Sequence, residues 1–382
     1  MLKKIVLIVC LILTASLFCS LKYNNNYDKN IIQFATWGSE SEIKILKPVL
    51  HDFEQKNPNV KVNLLHIPQN YFQKIHLLFA SNTAPDVIFM NNQYLPVYAN
   101  AGVLEDLTPY KNELEFEKFY QKSLEALSWK NQVYAAPRDV SNLVIYYNKD
   151  IFDKYNVPYP KSGWSYDEFL EKAKKLTHNP DIFGISFDEE PLFYMPYLMG
   201  QGIDYIPDLE DSKVHNALQN YADLRHKYNI APLKTDASSM TMAQMFLQGR
   251  LAMHLSGRWL VPKYREEARF DWDIIEFPTM NSNSKFPIDA SGWVISKSSK
   301  HKPEAIKLVQ YLSSKSSIEK FAKSGLIIPA RVDCSDSILD GEKPENTKIF
   351  TDIIEISTPT PVSVNYREVL DKLKSGTERV FN

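Results

Sequence analysis

The sequence predicts an α/β protein of two lobes. Three observations carry that expectation: strands and helices alternate in both halves, three cysteines are too few for a disulfide framework, and 382 residues exceed what one core usually encloses. Ile31 to Thr36 reads as a short buried strand broken by Gly38-Ser39-Glu40. Ile43, Leu46, Val49, Leu50 and Phe53 then recur at helical spacing until Asn57-Pro58 ends the run. A strand from Val60 to Ile67, a helix from Tyr71 to Ala80 and an apolar strand from Asp86 to Met90 follow. Strand, helix, strand, helix, strand implies a right-handed crossover unit on a mainly parallel sheet.

The alternation returns in the second half. Leu143 to Tyr147 reads as a strand, Ser165 to Leu176 as a helix opened by the capping box Ser165…Glu168, and Phe183 to Phe187 as a strand. Helical spacing runs from Val214 to Tyr228 and from Thr241 to Gln248, with strands expected at Leu251 to Leu255 and Trp272 to Phe277.

At the amino end, Lys3 and Lys4 precede an apolar run from Ile5 to Leu13 and the small residues Thr14, Ala15 and Ser16. This is the layout of a secretory signal, assigned to residues 1–22, and the run is shorter than the roughly 20 apolar residues of a membrane span. Cys19 stands where a lipoprotein signal is cut and acylated, while Ser16 and Phe18 depart from the lipoprotein pattern, so acylation at Cys19 and ordinary cleavage nearby both stay open. The expected location is the periplasm or the outer face of the cell membrane, lipid-anchored if Cys19 is acylated. Cys334 is then the one thiol of the mature body besides Cys19.

A balance of 44 basic and 46 acidic residues gives a net charge of −2 and no basic stripe, which argues against nucleic-acid binding. No phosphate-binding glycine loop, nucleophile elbow or His-Glu-x-x-His motif is present, and the eight histidines lack metal-ligand spacing. The expectation is a non-enzyme without cofactor or metal. Glycoside hydrolysis needs only two carboxylates, so it stays open as a lesser alternative.

Several segments carry a resemblance. Tyr134 to Asp150, with Pro137-Arg138-Asp139-Val140-Ser141 at its centre, is the longest. Trp37-Gly38, Ala84-Pro85-Asp86-Val87, Gly102 to Leu107, Gly163 to Phe169, Phe246 to Trp259, Gly292 to Lys300 and Gly325 to Arg331 accompany it in order. Together they resemble family 1 extracellular solute-binding proteins, the maltose-binding class. The resemblance implies a two-lobed periplasmic-binding-protein fold of type II, each lobe a mainly parallel sheet flanked by helices, with three interlobe crossings near 139–143, 272–277 and 328–333. The first lobe would take residues 30–140 and 277–330, the second 143–272 and 333–382. It further implies a monomer that captures a sugar or sugar phosphate in the interlobe cleft and delivers it to the permease subunits of an ATP-driven (ABC) importer. Glycerol 3-phosphate or another phosphoester is the alternative ligand, with Arg138, Arg258 and Arg331 as an anion site. A surface adhesin is a further alternative.

A sugar site needs flat apolar faces for the ring and planar polar groups for its hydroxyls. From the first lobe the candidates are Trp37, Ser39, Glu40, Asn91 and Tyr94, where Asn91 equally fits a turn that bonds its own backbone. On the first crossing stand Arg138, Asp139 and Ser141. Neighbours on a regular strand point to opposite faces, so only one of Arg138 and Asp139 is expected to meet the ligand. The second lobe offers Tyr194, whose spacing to Tyr197 equally fits a core face, and the turn Ser256, Gly257, Arg258 and Trp259. Ser291, Gly292 and Trp293 on the returning segment and Arg331 on the third crossing complete the set.

Overall fold

The computed structural model describes residues 31–237 and 239–382, so the signal pattern and Cys19 lie outside the described residues. Strands β1 (Ile31–Thr36), β2 (Lys61–His66) and β3 (Val87–Asn91) pair in parallel in the order β2-β1-β3. The helix between β1 and β2, Glu40–Lys56, opens on a capping box in which Ser39 and Glu42 satisfy each other's backbone N–H groups. Its buried residues are the five apolar ones whose spacing predicts it, Ile43, Leu46, Val49, Leu50 and Phe53. The helix Tyr71–Ala80 returns the chain to β3. The crossover unit read from the sequence is therefore present.

A short hairpin of β4 (Ser128–Trp129) and β5 (Gln132–Val133) precedes β6 (Ala136–Ser141) and β7 (Val144–Asn148). These two strands lie in different sheets, and the chain crosses between lobes at Asn142 and Leu143. In the second lobe β7 is flanked by β8 (Met253–Ser256) and β9 (Trp272–Glu276). The chain crosses back through residues 277–285 to β10 (Phe286–Ile295). Strand β11 (Ile328–Pro329) then edges the first sheet, whose order is β11-β6-β10-β3-β1-β2. Finally β12 (Ser357–Pro359), inside the 333–382 segment, pairs in parallel with the start of β10. The last helix, Tyr366–Phe381, packs on helices Pro191–Gly200 and Ser212–His226 of the second lobe.

Two details differ from expectation. The second sheet is antiparallel throughout, because β8 and β9 both run against β7. In the first sheet β10 enters antiparallel between β3 and β6, so parallel pairing is confined to the crossover unit and the β12 edge. Phe183 to Phe187 is not a strand and keeps a single bridge, Phe183 to Leu251. Within it, Gly184 lets the backbone approach the 166–176 helix, where a β-carbon would stand 2.3 Å from the Ala173 carbonyl oxygen.

Apolar side chains gather in two clusters. One includes Phe34, Phe89 and Trp293 of the first lobe and extends to Tyr146, Phe246, Tyr264 and Trp272 of the second, and the other gathers Ile145, Phe169, Tyr197 and Tyr221 in the second lobe. Among the described residues no helix is long and apolar enough to cross a membrane.

Candidate functional site

Where β6 meets β10 the register slips. Ser291 stands opposite Asp139 while Gly292 stands opposite Pro137, which leaves Arg138 without a partner on β10. A bulge of this kind re-aims side chains, and here it turns Arg138 and Asp139 towards the same cavity. The expectation that only one of the two reaches the cleft is thus corrected. Gly292 has a structural reason to be glycine, since a β-carbon would stand 2.3 Å from the Ala136 carbonyl oxygen.

The cavity lies between the lobes and is lined by Trp37, Glu42, Arg138, Asp139, Ser141, Arg258, Trp259 and Ser291 together with apolar residues. Both tryptophans are half-buried, one from each lobe. Trp37 leans on Phe89 at 4.3 Å and meets the edge of Tyr71 at 5.0 Å, which fixes the orientation of its ring.

Arg138 is held on every side. Its guanidinium bonds the adjacent Asp139, reaches Glu42 at 3.2 Å and lies 4.1 Å from the centre of the Phe89 ring. Burial pushes the Asp139 carboxyl up to about 6 against the attraction of Arg138. Burial by itself would lower Arg138, yet Asp139 and Glu42 outweigh it and raise the group above its ordinary range. The cavity therefore offers polar groups that are already oriented. Glu42 is absent from the sequence-based candidates, although its place three residues after Ser39 completes a capping box.

Ser141 also lines a second, narrow space, with Gln93, Asn142, Asp289, Pro191, Leu192, Met195, Thr360 and Tyr366 on its walls. Asp289 accepts from Asn92 at 2.9 Å, Gln93 at 3.2 Å and the Thr360 hydroxyl, and burial raises its carboxyl above the usual range. Tyr366 in turn lines a third, solvent-open space with Tyr71, Phe72, Tyr94 and Tyr98.

Other candidates serve elsewhere. Ser39 caps its helix and Glu40 points to solvent near His66. The Asn91 amide oxygen accepts from the Tyr94 backbone N–H at 3.1 Å, closing the turn that seats Tyr94. Tyr194 is wholly buried against Tyr221 and Phe381, so it is a core residue rather than a cleft wall. Trp293 is likewise core, 6.0 Å from Phe89, and Ser256 is buried in β8 opposite Val144. Gly257 makes room for the Trp259 ring rather than for a ligand.

Arg138 and Arg258 both line the inner cavity, whereas Arg331 stands apart from them. Arg331 is committed to Glu115 at 2.8 Å, to both carboxylate oxygens of Asp333 and to the Ser313 carbonyl. Arg138 is neutralised by its two acids. Arg258 is 2 % exposed, bonds the Ile327 carbonyl through Nε at 2.9 Å, and is lowered to about 10 by burial. An anion site built from these three is therefore not formed.

With this geometry in place, three comparisons are informative. The family model described as bacterial extracellular solute-binding protein matches residues 49–351. The maltodextrin-binding protein of Bacillus subtilis is 25% identical over 348 residues, covering 84% of this chain and 78% of that protein. The galactooligosaccharide-binding protein of the same organism is 21% identical, covering 91% and 84% respectively. Among solved structures, the ABC substrate-binding protein of Listeria monocytogenes in complex with cycloalternan superposes with a TM-score of 0.82 at 25% identity, over 93% of this chain and 94% of that one.

Proposed function

We propose that this chain, which belongs to the bacterial extracellular solute-binding protein family, captures a carbohydrate between its lobes and delivers it to the permease of an ATP-driven importer. The observation that carries the reading is the pair Trp37 and Trp259, brought from opposite lobes to one cavity whose other walls are oriented polar side chains. Two flat apolar faces with hydrogen-bonding groups between them suit the two chemistries of a sugar ring. The sugar ligands of the Bacillus and Listeria relatives support it.

In this reading Trp37 and Trp259 stack on the ligand, and Arg138, Asp139, Ser141, Ser291 and Glu42 bond its hydroxyls. The lobes divide near 140–143, 277–285 and 330–333, and the mature protein acts as a monomer without catalysis. Residues 1–22 direct export to the periplasm or the outer membrane face, with Cys19 as the anchor if it is acylated.

Titration calorimetry of purified protein against a panel of mono- and oligosaccharides tests the reading, with the reaction mixtures analysed for cleavage. Binding with sugars recovered intact is expected. A panel without binding would overturn carbohydrate capture, and cleavage products would overturn the non-enzymatic assignment.

A further inference from the structure

Asn142 links β6 to β7, where the chain passes from the first lobe to the second. It is buried and only one end of its amide is bonded: Nδ2 donates to the Phe350 carbonyl at 2.9 Å, while Oδ1 has no partner among the described residues. A carbonyl can only accept, so Phe350 fixes which end of the amide is left over. Arg258 has the complementary lack. Its Nε is committed to the Ile327 carbonyl of the first lobe, and Nη1 and Nη2 are buried with no acceptor among the described residues. The fold brings the two groups to one place. β7 and β8 run antiparallel with Val144 opposite Ser256, so two steps further along the same register Asn142 falls opposite Arg258. Phe350 meets both, through its carbonyl to Asn142 and through its ring, whose centre lies 5.4 Å from the Arg258 guanidinium carbon. A buried donor or acceptor left unpaired costs free energy, and more so when it is charged.

We infer that Asn142 is a positioning residue for ligand capture: in the ligand-bound orientation of the lobes its Oδ1 accepts from the Arg258 guanidinium, which sets the adjacent Trp259 ring against the ligand. The inference rests on the reading above that a ligand lies between Trp37 and Trp259, and adds a residue that acts without touching it. The neighbours of the pair make the contact. Ser141 and Trp259, next to Asn142 and Arg258 in sequence, both line the inner cavity, so a ligand held by both draws the two backbone segments together. The bond to a charged donor then stabilises the liganded state alone, and affinity rises by what the pair contributes.

The test is a double-mutant cycle of Asn142→Ala, Arg258→Met and the two together, read in two ways. Calorimetry uses the panel of mono- and oligosaccharides, with the sugar that the unaltered protein binds most tightly as probe. Each single change is expected to weaken binding by about tenfold, the scale of one hydrogen bond to a charged group, and the double variant no more than either alone. In urea unfolding without sugar the two changes are expected to add, because the bond is unmade there, whereas a merely structural pair would couple in unfolding too. The bonds to Phe350 and Ile327 are lost in the double variant as in the single ones, so they cancel in the cycle. Affinity losses that add, unchanged affinity in either single variant, or equal coupling in unfolding overturns the inference and leaves the carbohydrate reading standing. Should a variant fail to fold, a crystal structure of the unaltered protein with the same sugar reads the bond directly. Oδ1 within about 3.2 Å of an Arg258 Nη is expected, and a water or a ligand atom on either group in place of the other overturns the inference. No binding across the panel overturns both readings.

Discussion

The ring of Trp259 lies across the α-carbon of Gly257, so close that a β-carbon there would stand 2.0 Å from Trp259 Cζ3. Gly257 has φ −104°, a conformation open to other residues, so it is space rather than torsion that requires glycine. The turn is also tethered, because the Tyr146 hydroxyl donates to the Gly257 carbonyl at 2.8 Å. Gly257→Ala should therefore displace the ring. Sugar affinity is expected to fall by about tenfold, one stacking contact, with the circular dichroism spectrum unchanged. Wild-type affinity in this variant would mean that the ring does not face the ligand.

Removing the ring itself gives a sharper separation. Trp259 is half-buried and stands at the edge of the second cluster. Trp259→Ala should weaken binding by about 1 to 3 kcal/mol through lost area and stacking, with a small change in melting temperature. A core residue of this size would instead cost about 3 to 5 kcal/mol of stability. Calorimetry and thermal melts on one preparation decide between them.

Arg138 is expected to behave as a structural cation first. Removing it strands Asp139 and Glu42 in a protein interior where Asp139 is 7% exposed. Arg138→Ala should cost about 3 to 5 kcal/mol in urea unfolding, the scale of a broken buried pair. Adding Asp139→Asn should recover part of that loss by removing one stranded charge. A double variant as unstable as the sum of both single changes would show that the two residues do not interact.

These residues also mark the limit of what the sequence makes legible. Helices announce themselves through local signals: Glu40–Lys56 through the spacing of its apolar residues and the Asn57-Pro58 stop, and Tyr166–Leu176 through its capping box. Pairing direction is nonlocal, and the antiparallel β8 and β9 look like any buried strand in sequence. The same divide runs through the site. Trp259 beside a glycine is a local signal, whereas the bulge that turns Arg138 and Asp139 together arises only when β10 returns from about 150 residues away. Tyr194 misleads because an aromatic on a helix has the same spacing whether it faces a cleft or a core.

Ligand should close the lobes. The inner cavity takes walls from both, and only a closed state makes both sets of contacts, so binding energy favours it. Small-angle scattering with a bound sugar at saturation should show a smaller radius of gyration than the free protein. An unchanged radius would count against hinge closure at Asn142–Leu143 and residues 277–285.

His254 sets an acid limit on stability. It is 2% exposed on β8, its Nδ1 lies 2.6 Å from the Tyr264 hydroxyl, and the rings of Phe246 and Tyr146 pack near it. Burial disfavours the charged imidazolium and lowers the group from 6.5 to about 3. The folded protein therefore keeps this histidine neutral between pH 6.5 and 3, while the unfolded chain takes up a proton there. Since the unfolded state binds more protons in that window, stability falls as pH drops through it and is independent of this group above 6.5. The slope is up to about 1.4 kcal/mol per pH unit, or about 2 kcal/mol between pH 7 and pH 5. His254→Phe should abolish that share. The orphaned Tyr264 hydroxyl lowers the variant's stability equally at both pH values and so cancels in the comparison. Urea unfolding at pH 7 and pH 5 should show the wild type losing about 2 kcal/mol more than the variant, and equal losses in the two proteins would mean that His254 titrates normally in the fold.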